Sequence, residues 1–168
     1  MRKSVSSASG ATIVAAGGAV AVAMAGGLLT DTGSWYQSLR TPAWKPPDAA
    51  FPVIWMAVFL LTAIAGVLAW RRPAGPSRRL WSHRQSVLIL FLFNGLLNIL
   101  WSLMFFQVRR PDLALVEGVG LWLSILALIV VIRRRSPWAG ALLLPYLAWV
   151  SLACRLNYDV VLLNGPFG

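Results

Sequence analysis

Five apolar stretches, each about as long as a bilayer core is thick, leave this chain few folds to choose from. A helix needs about 20 mostly apolar residues to cross the hydrocarbon. Such stretches lie at roughly 9–30, 51–70, 86–108, 112–132 and 138–163 of the 168 residues. Short polar segments with Pro, Gly and Arg, all helix-stopping signals, separate them. The expectation is an all-α integral membrane protein, a bundle of five transmembrane helices in one domain over 1–168, with a first loop at 31–50. Composition agrees, since 58% of residues are hydrophobic and 12% charged, against about 25% charged in soluble domains.

The 15 Lys and Arg against 5 Asp and Glu give a net charge of +10. That would suit a nucleic-acid partner if the bases formed a patch, but they sort by membrane side instead. Arg2, Lys3, Arg71, Arg72, Arg78, Arg79, Arg84, Arg133, Arg134 and Arg135 fall on the face shared by the N-terminus. Arg40, Lys45, Arg109 and Arg110 fall on the other, with Arg155 inside the last span. The positive-inside bias places the N-terminus in the cytoplasm and the C-terminus outside. No nucleic-acid partner is expected; the lipid bilayer is. One Cys and one His, His83, leave no disulfide framework and no multi-His metal set.

Arg2, Lys3 and the Ala23-Met24-Ala25 run resemble a cleavable signal peptide. Ala11, Ala15, Ala19, Ala23 and Gly27, however, recur every four residues, a small-xxx-small ladder that lets helices approach closely. A retained helix is the expectation.

The first loop carries Trp35, Tyr36, Pro42, Trp44, Pro46 and Pro47. Its prolines fix φ and remove donors, so it should be stiff and extended. Its aromatics suit either an interfacial belt or a lid over a cavity between helices; composition leaves both open. Trp70, Trp81 and Trp138 stand at span ends, as anchors do, whereas Trp101, Trp122 and Trp149 lie deep in spans and Trp55 one turn into the second. Interior indoles either fill space between helices or wall a pocket for a flat ligand. Trp55, Trp149, Trp35 and Trp44 could supply such walls.

Polar groups inside a span are costly unless paired. Asn94, Asn98 and Ser102 lie four apart on one helical face. Interhelical hydrogen bonds account for Asn94 and Ser102, while Asn98 reads equally as a ligand contact. Glu117 is expected to pair with Arg109 or Arg110, and Arg155 with Asp159 four residues on. Pro145 should kink the fifth span, and Cys154 reads as a small packing residue. A sterol motif around Tyr158 fails for want of a Lys or Arg after it.

At the first loop the chain resembles the TspO/MBR (translocator protein, tryptophan-rich sensory protein) family, through the pattern WYxSLxxPxWxPP over 35–47 followed by Phe51 and Trp55. Asn98, Trp101 and Ser102, then Phe105, Phe106 and Arg109, then Ala114 and Glu117, then Pro145, Tyr146 and Trp149, and finally Leu156 and Asn157 extend the resemblance in order over about 12–164. It implies a five-helix bundle, often a homodimer, with a ligand cavity beneath the first loop. It further implies binding of tetrapyrroles such as protoporphyrin IX or haem, or of related hydrophobic ligands, with no cofactor required. Implied ligand-binding residues are Trp35, Tyr36, Trp44, Pro46, Pro47, Phe51, Trp55, Asn94, Asn98, Trp101, Tyr146, Trp149 and Asn157. Light- and oxygen-dependent porphyrin breakdown, described for some bacterial members, would fall to Trp55 and Trp149 as catalytic residues.

The chain departs from the family pattern at Pro52, Asn94, Leu103 and Arg155. Pro52 would change the angle at which the second helix begins, and the Arg155 charge would project toward the cavity mouth. Three functions are compatible with these residues: a tetrapyrrole receptor or carrier, a photo-oxidative porphyrin-degrading enzyme, and a structural or assembly subunit. A transporter lacks support, having neither a coupling carboxylate pair nor an inverted repeat.

Overall fold

The computed structural model describes residues 2–71, 83–134 and 136–167. Its helices are α1 (Arg2–Leu29), α2 (Ser34–Ser38), α3 (Ala50–Arg71), α4 (His83–Ser102), α5 (Pro111–Arg133), α6 (Pro137–Ala141) and α7 (Leu144–Asn164), and a π-helical turn at Leu103–Gln107 prolongs α4. Among the described residues, five spans are long and apolar enough to cross a membrane: Thr12–Leu29, Ala50–Arg71, Gln85–Gln107, Pro111–Arg133 and Pro137–Asn164. These match the five apolar stretches to within a few residues. The chain is a multi-pass integral membrane protein of the all-α class. Of the basic residues read for topology, Arg72, Arg78, Arg79 and Arg135 lie outside the described residues, as does Trp81.

In lipid there is no water for apolar side chains to escape, so helices associate by close packing and interhelical hydrogen bonds. Helix α5 is the hub. It packs against α4 on one side and against α6 and α7 on the other, while α1 packs against α3 and α4. Leu121, Ile125, Leu128, Ile129 and Ile132 of α5 form the core with Leu143, Tyr146, Trp149 and Val150. Large apolar residues such as Leu28, Leu96 and Val116 stay exposed, as a lipid-facing surface should. Two glycines allow close approach. A Cβ on Gly95 would meet Val22 of α1 at 2.9 Å, and one on Gly118 would meet Cys154 Sγ of α7 at 3.1 Å.

Buried polar side chains stitch the spans together. Asn94 Nδ2 donates to Ser124 Oγ (2.8 Å), which donates on to the Leu121 carbonyl (2.7 Å). The Tyr146 hydroxyl donates to Asn94 Oδ1 and accepts from Asn98 Nδ2, both at 3.2 Å. Trp122 Nε1 donates to Ser151 Oγ at 2.9 Å, so this interior indole ties α5 to α7.

Two breaks interrupt the spans, the second of them at the lid end. The fifth span is interrupted, not merely kinked: α6 ends at Ala141 and α7 restarts at Leu144. Pro145 has no N–H for the Ala141 carbonyl and sits in the first turn of the new helix, where proline is tolerated. In the third span the π-helical turn closes with Val108 N–H to the Leu103 carbonyl at 2.9 Å, and Arg109, at φ 58°, ends the helix. Within the turn the consecutive Phe105 and Phe106 are both buried.

Candidate ligand cavity

A cavity of about 820 Å³ lies beneath the first loop, between α1, α3, α4, α5 and α7. It is within the range of about 300–1,000 Å³ usual for small-molecule sites. Its α1 wall is Ala16, Ala19, Val20, Ala23, Gly26 and Gly27. The small-residue ladder therefore does two jobs. Ala15 sits 3.9 Å from where a Cβ on Gly66 of α3 would lie, forming a helix seam, whereas Ala19, Ala23 and Gly27 make room for the cavity.

Opposite stand aromatic rings. Trp55 and Trp149 both line the cavity and meet edge to face, with centroids 6.5 Å apart and planes at 89°. Phe51 packs edge-on to Trp149 at 5.5 Å, and Phe59 stacks on Trp55 at 5.3 Å. Trp149 is 7% exposed, and its Nε1 has no hydrogen-bond partner among the described residues. Trp101 also lines the cavity and stacks on Phe105 at 5.1 Å. Asn98 and Ser102 line it too, and Gly26 leaves space beside Ser102 Oγ and Asn98 Oδ1. Asn157 borders it, but in the orientation that satisfies both of its groups its amide donates to the Pro111 carbonyl (3.0 Å) and accepts from Leu115 N–H (3.1 Å).

The first loop roofs the cavity with Thr32, Tyr36, Gln37, Leu39, Thr41, Lys45 and Asp48. Tyr36 packs on Phe106 (centroids 5.7 Å apart) and donates its hydroxyl to Asp48 Oδ1 at 2.9 Å. Lys45 Nζ pairs with the same oxygen at 2.7 Å and lies 4.9 Å over the Tyr36 ring. Burial works against the Lys45 charge, but hydrogen bonds to Asp48 and then Tyr36 outweigh it and hold its pKa above 10.5. Asp48 is held below the ordinary 3.8, chiefly by its hydrogen bond from Lys45. Burial pushes the Tyr36 phenol up.

Of the residues expected at the site, Tyr36, Phe51, Trp55, Asn98, Trp101, Trp149 and Asn157 come together around the cavity. Trp35, Trp44, Pro46, Pro47, Asn94 and Tyr146 do not line it. Trp35 instead packs edge-on to Phe105 (6.1 Å) beneath the Arg109 guanidinium. Trp44 fastens the loop, its Nε1 donating to Asp159 Oδ2 at 3.1 Å. Pro46 and Pro47 shape the stretch leading into α3, where the Pro47 carbonyl accepts from Ala50 N–H. Asn94 and Tyr146 hold each other behind the wall.

Two charge expectations change. Glu117 does not pair with Arg109 or Arg110: Arg110 bonds Asp112 at 2.6 Å, and both buried Glu117 oxygens have no partner among the described residues. Arg155 does pair with Asp159 (3.1 Å), yet it is absent from the cavity lining and its guanidinium lies over Tyr158. The sequence reading missed Lys45, Asp48, Phe59, Gly118, Cys154 and the α1 alanines as cavity residues. For the α1 ladder the small residues are the signal, since side chains that let helices approach also leave room for a cavity where the helices part.

The sequence profile of the TspO/MBR family matches residues 12–163. A tryptophan-rich protein TspO from Chlorobaculum tepidum is 36% identical over 151 residues, covering 86% of this chain and 90% of that protein. A tryptophan-rich sensory protein from Cereibacter sphaeroides is 30% identical, with 91% and 89% covered. The human translocator protein is 31% identical over 128 residues, with 75% and 72% covered.

Proposed function

Because the chain belongs to the TspO/MBR family, we propose that it is a membrane receptor or carrier for tetrapyrroles, protoporphyrin IX or haem, held in the cavity beneath the first loop. The observation that carries this reading is the Trp55–Trp149 pair on the cavity wall. Two indoles at right angles offer one flat face and one edge to a planar macrocycle. The unpartnered Trp149 N–H offers a polar point, which suits a ligand that is mostly apolar with few polar groups. Asn98 and Ser102, beside Gly26 of α1, add donors and acceptors to the lining. The protein needs no cofactor of its own for this role. We take it to sit with its N-terminus in the cytoplasm and to work as a homodimer, since a Cβ placed on Gly17 or Gly18 of α1 would meet no other atom within 4 Å and this stretch of the helix is open to a second copy.

Titration of the purified protein with protoporphyrin IX in darkness tests the proposal. Saturable quenching of tryptophan fluorescence supports it, and linear, non-saturating quenching refutes it.

The same indole pair favours a second reading, light- and oxygen-dependent porphyrin degradation at Trp55 and Trp149. Indole is readily oxidised by an excited porphyrin, through singlet oxygen or electron transfer, without a metal or an acid–base pair. Illumination of the loaded protein in air would then give a new absorbing product faster than free pigment bleaches. Binding with no new product excludes that reading.

A further inference from the structure

Among the described residues lining the cavity only Lys45 and Asp48 carry charge, and both belong to the roof. They are not equally placed. The Asp48 side chain is half exposed, whereas that of Lys45 is 17% exposed, so the carboxylate reaches solvent while most of the Lys45 side chain is covered. An ammonium has three donors. Asp48 Oδ1 takes one and is itself shared with the Tyr36 hydroxyl. The Tyr36 hydroxyl is the second neighbour of the ammonium, which leaves one of its three donors for an acceptor. The neighbouring roof residues Thr32, Gln37 and Thr41 are polar, and the walls below are Phe51, Trp55 and Trp149.

From this arrangement we propose that Lys45 is an anion receptor, and that the cavity selects ligands joining a bulky apolar body to a carboxylate received at the roof. The body lies against the indoles and the carboxylate accepts from Lys45, with Asp48 and Tyr36 holding the ammonium in place. Charge-assisted hydrogen bonds are short and about twice as strong as neutral ones, and a side chain only 17% exposed leaves water little access to the ammonium. The Lys45 pKa, kept above its ordinary value by those same two neighbours, leaves the charge in place at neutral pH. The other cations near this end stand outside the lining: Arg155 pairs with Asp159, Arg110 pairs with Asp112, Arg109 lies over Trp35, and Arg40 is absent from the cavity wall.

The inference rests on the tetrapyrrole reading, and one experiment separates their failures. Protoporphyrin IX and its dimethyl ester share a ring and differ in their carboxylates. Each is titrated into wild-type protein, Lys45→Gln and Lys45→Arg in zwitterionic phosphatidylcholine nanodiscs, and the ratio of the two dissociation constants is read. The expected ratio favours the acid by about tenfold or more in wild type, falls close to one in Lys45→Gln and returns in Lys45→Arg. A ratio near one in wild type, or one that survives in Lys45→Gln, overturns the inference while leaving the tetrapyrrole reading standing. If neither porphyrin binds saturably, the tetrapyrrole reading fails first. An oleate arm separates the sources of such an anion: displacement of the acid by oleate in wild type but not in Lys45→Gln marks a lipid acid as a ligand of the same kind, and no displacement, with the porphyrin ratio intact, marks the tetrapyrrole. Either result keeps Lys45 as the receptor.

Discussion

Trp44 and Asp159, 115 positions apart in the chain, meet through an indole N–H to carboxylate hydrogen bond of 3.1 Å, and this bond fastens the first loop to the end of α7. A second clasp lies beside it. Arg40 N–H donates to Asn164 Oδ1, and Asn164 Nδ2 donates back to the Arg40 carbonyl, both at 2.8 Å. The loop is therefore a lid held by side chains from the last helix. Trp44→Phe combined with Asn164→Ala removes these bonds and keeps the Phe ring in place of the indole. At roughly 1 kcal/mol for each lost bond, bound porphyrin should leave about ten times faster or more, measured by stopped-flow displacement. An unchanged release rate would show that the lid is held some other way.

Lid stability should depend on pH through Lys45 and Asp48. The folded pKa of Asp48 is depressed below 3.8, so its contribution is present above that value and is lost as pH falls through the folded value. The folded pKa of Lys45 is raised above 10.5, so its contribution is present below that value and is lost as pH rises through the folded one. Hydrogen exchange over residues 34–50, corrected for intrinsic rates, should be flat from about pH 5 to 9 and faster below about pH 4. In Asp48→Asn the acid step should vanish. An acid step that persists in that variant would assign the effect elsewhere.

Tyr146→Phe should cost stability and leave binding nearly untouched. The hydroxyl bridges Asn94 and Asn98 at 3.2 Å on each side, and its loss leaves two amides short of a partner within the bundle. About 1–2 kcal/mol is expected from interhelical bonds of this kind, read as a lower thermal midpoint in detergent. Porphyrin affinity should stay within about threefold, since the residue stands behind the wall. A large loss of affinity at unchanged stability would place Tyr146 in the site.

The spans were legible because hydrocarbon thickness dictates their length, and any 20-residue apolar run reports it directly. The cavity is legible in part: Trp149 lies too deep for an interfacial belt to explain, whereas Trp55, one turn into its span, is marked by the family resemblance. The place of Trp44 was not legible, because an indole on a stiff loop serves as wall or fastener depending on where the last helix ends, and that is decided by packing 115 residues away. The break at Leu142–Leu143 and the π-helical turn were equally hidden. Pro145 signals a disturbance without fixing whether the helix bends or restarts, and nothing in Leu103–Gln107 announces a wider turn. Glu117 misled because Arg109 and Arg110 stand within one or two turns of it. Yet the π-helical turn ends at Gln107, and Arg109 adopts positive φ and turns to Trp35.

Glu117→Gln follows from that correction. An ion pair with Arg109 or Arg110 would make the substitution destabilising. With both oxygens unpartnered, no bond is lost, and stability should change by less than about 1 kcal/mol in the destabilising direction. Thermal unfolding in one detergent at fixed pH decides. A markedly lower midpoint would mean that Glu117 holds a partner after all.

The central claim is that indoles from α3 and α7 enclose a tetrapyrrole site, and the dissociation constants of Trp55→Ala and Trp149→Ala for protoporphyrin IX test it most directly. Trp122→Phe, whose indole bonds Ser151 away from the cavity, serves as control. Removing a large aromatic contact from a binding wall should weaken affinity at least about tenfold in each alanine variant, with Trp122→Phe like wild type. Equal affinity in all four proteins would contradict the account.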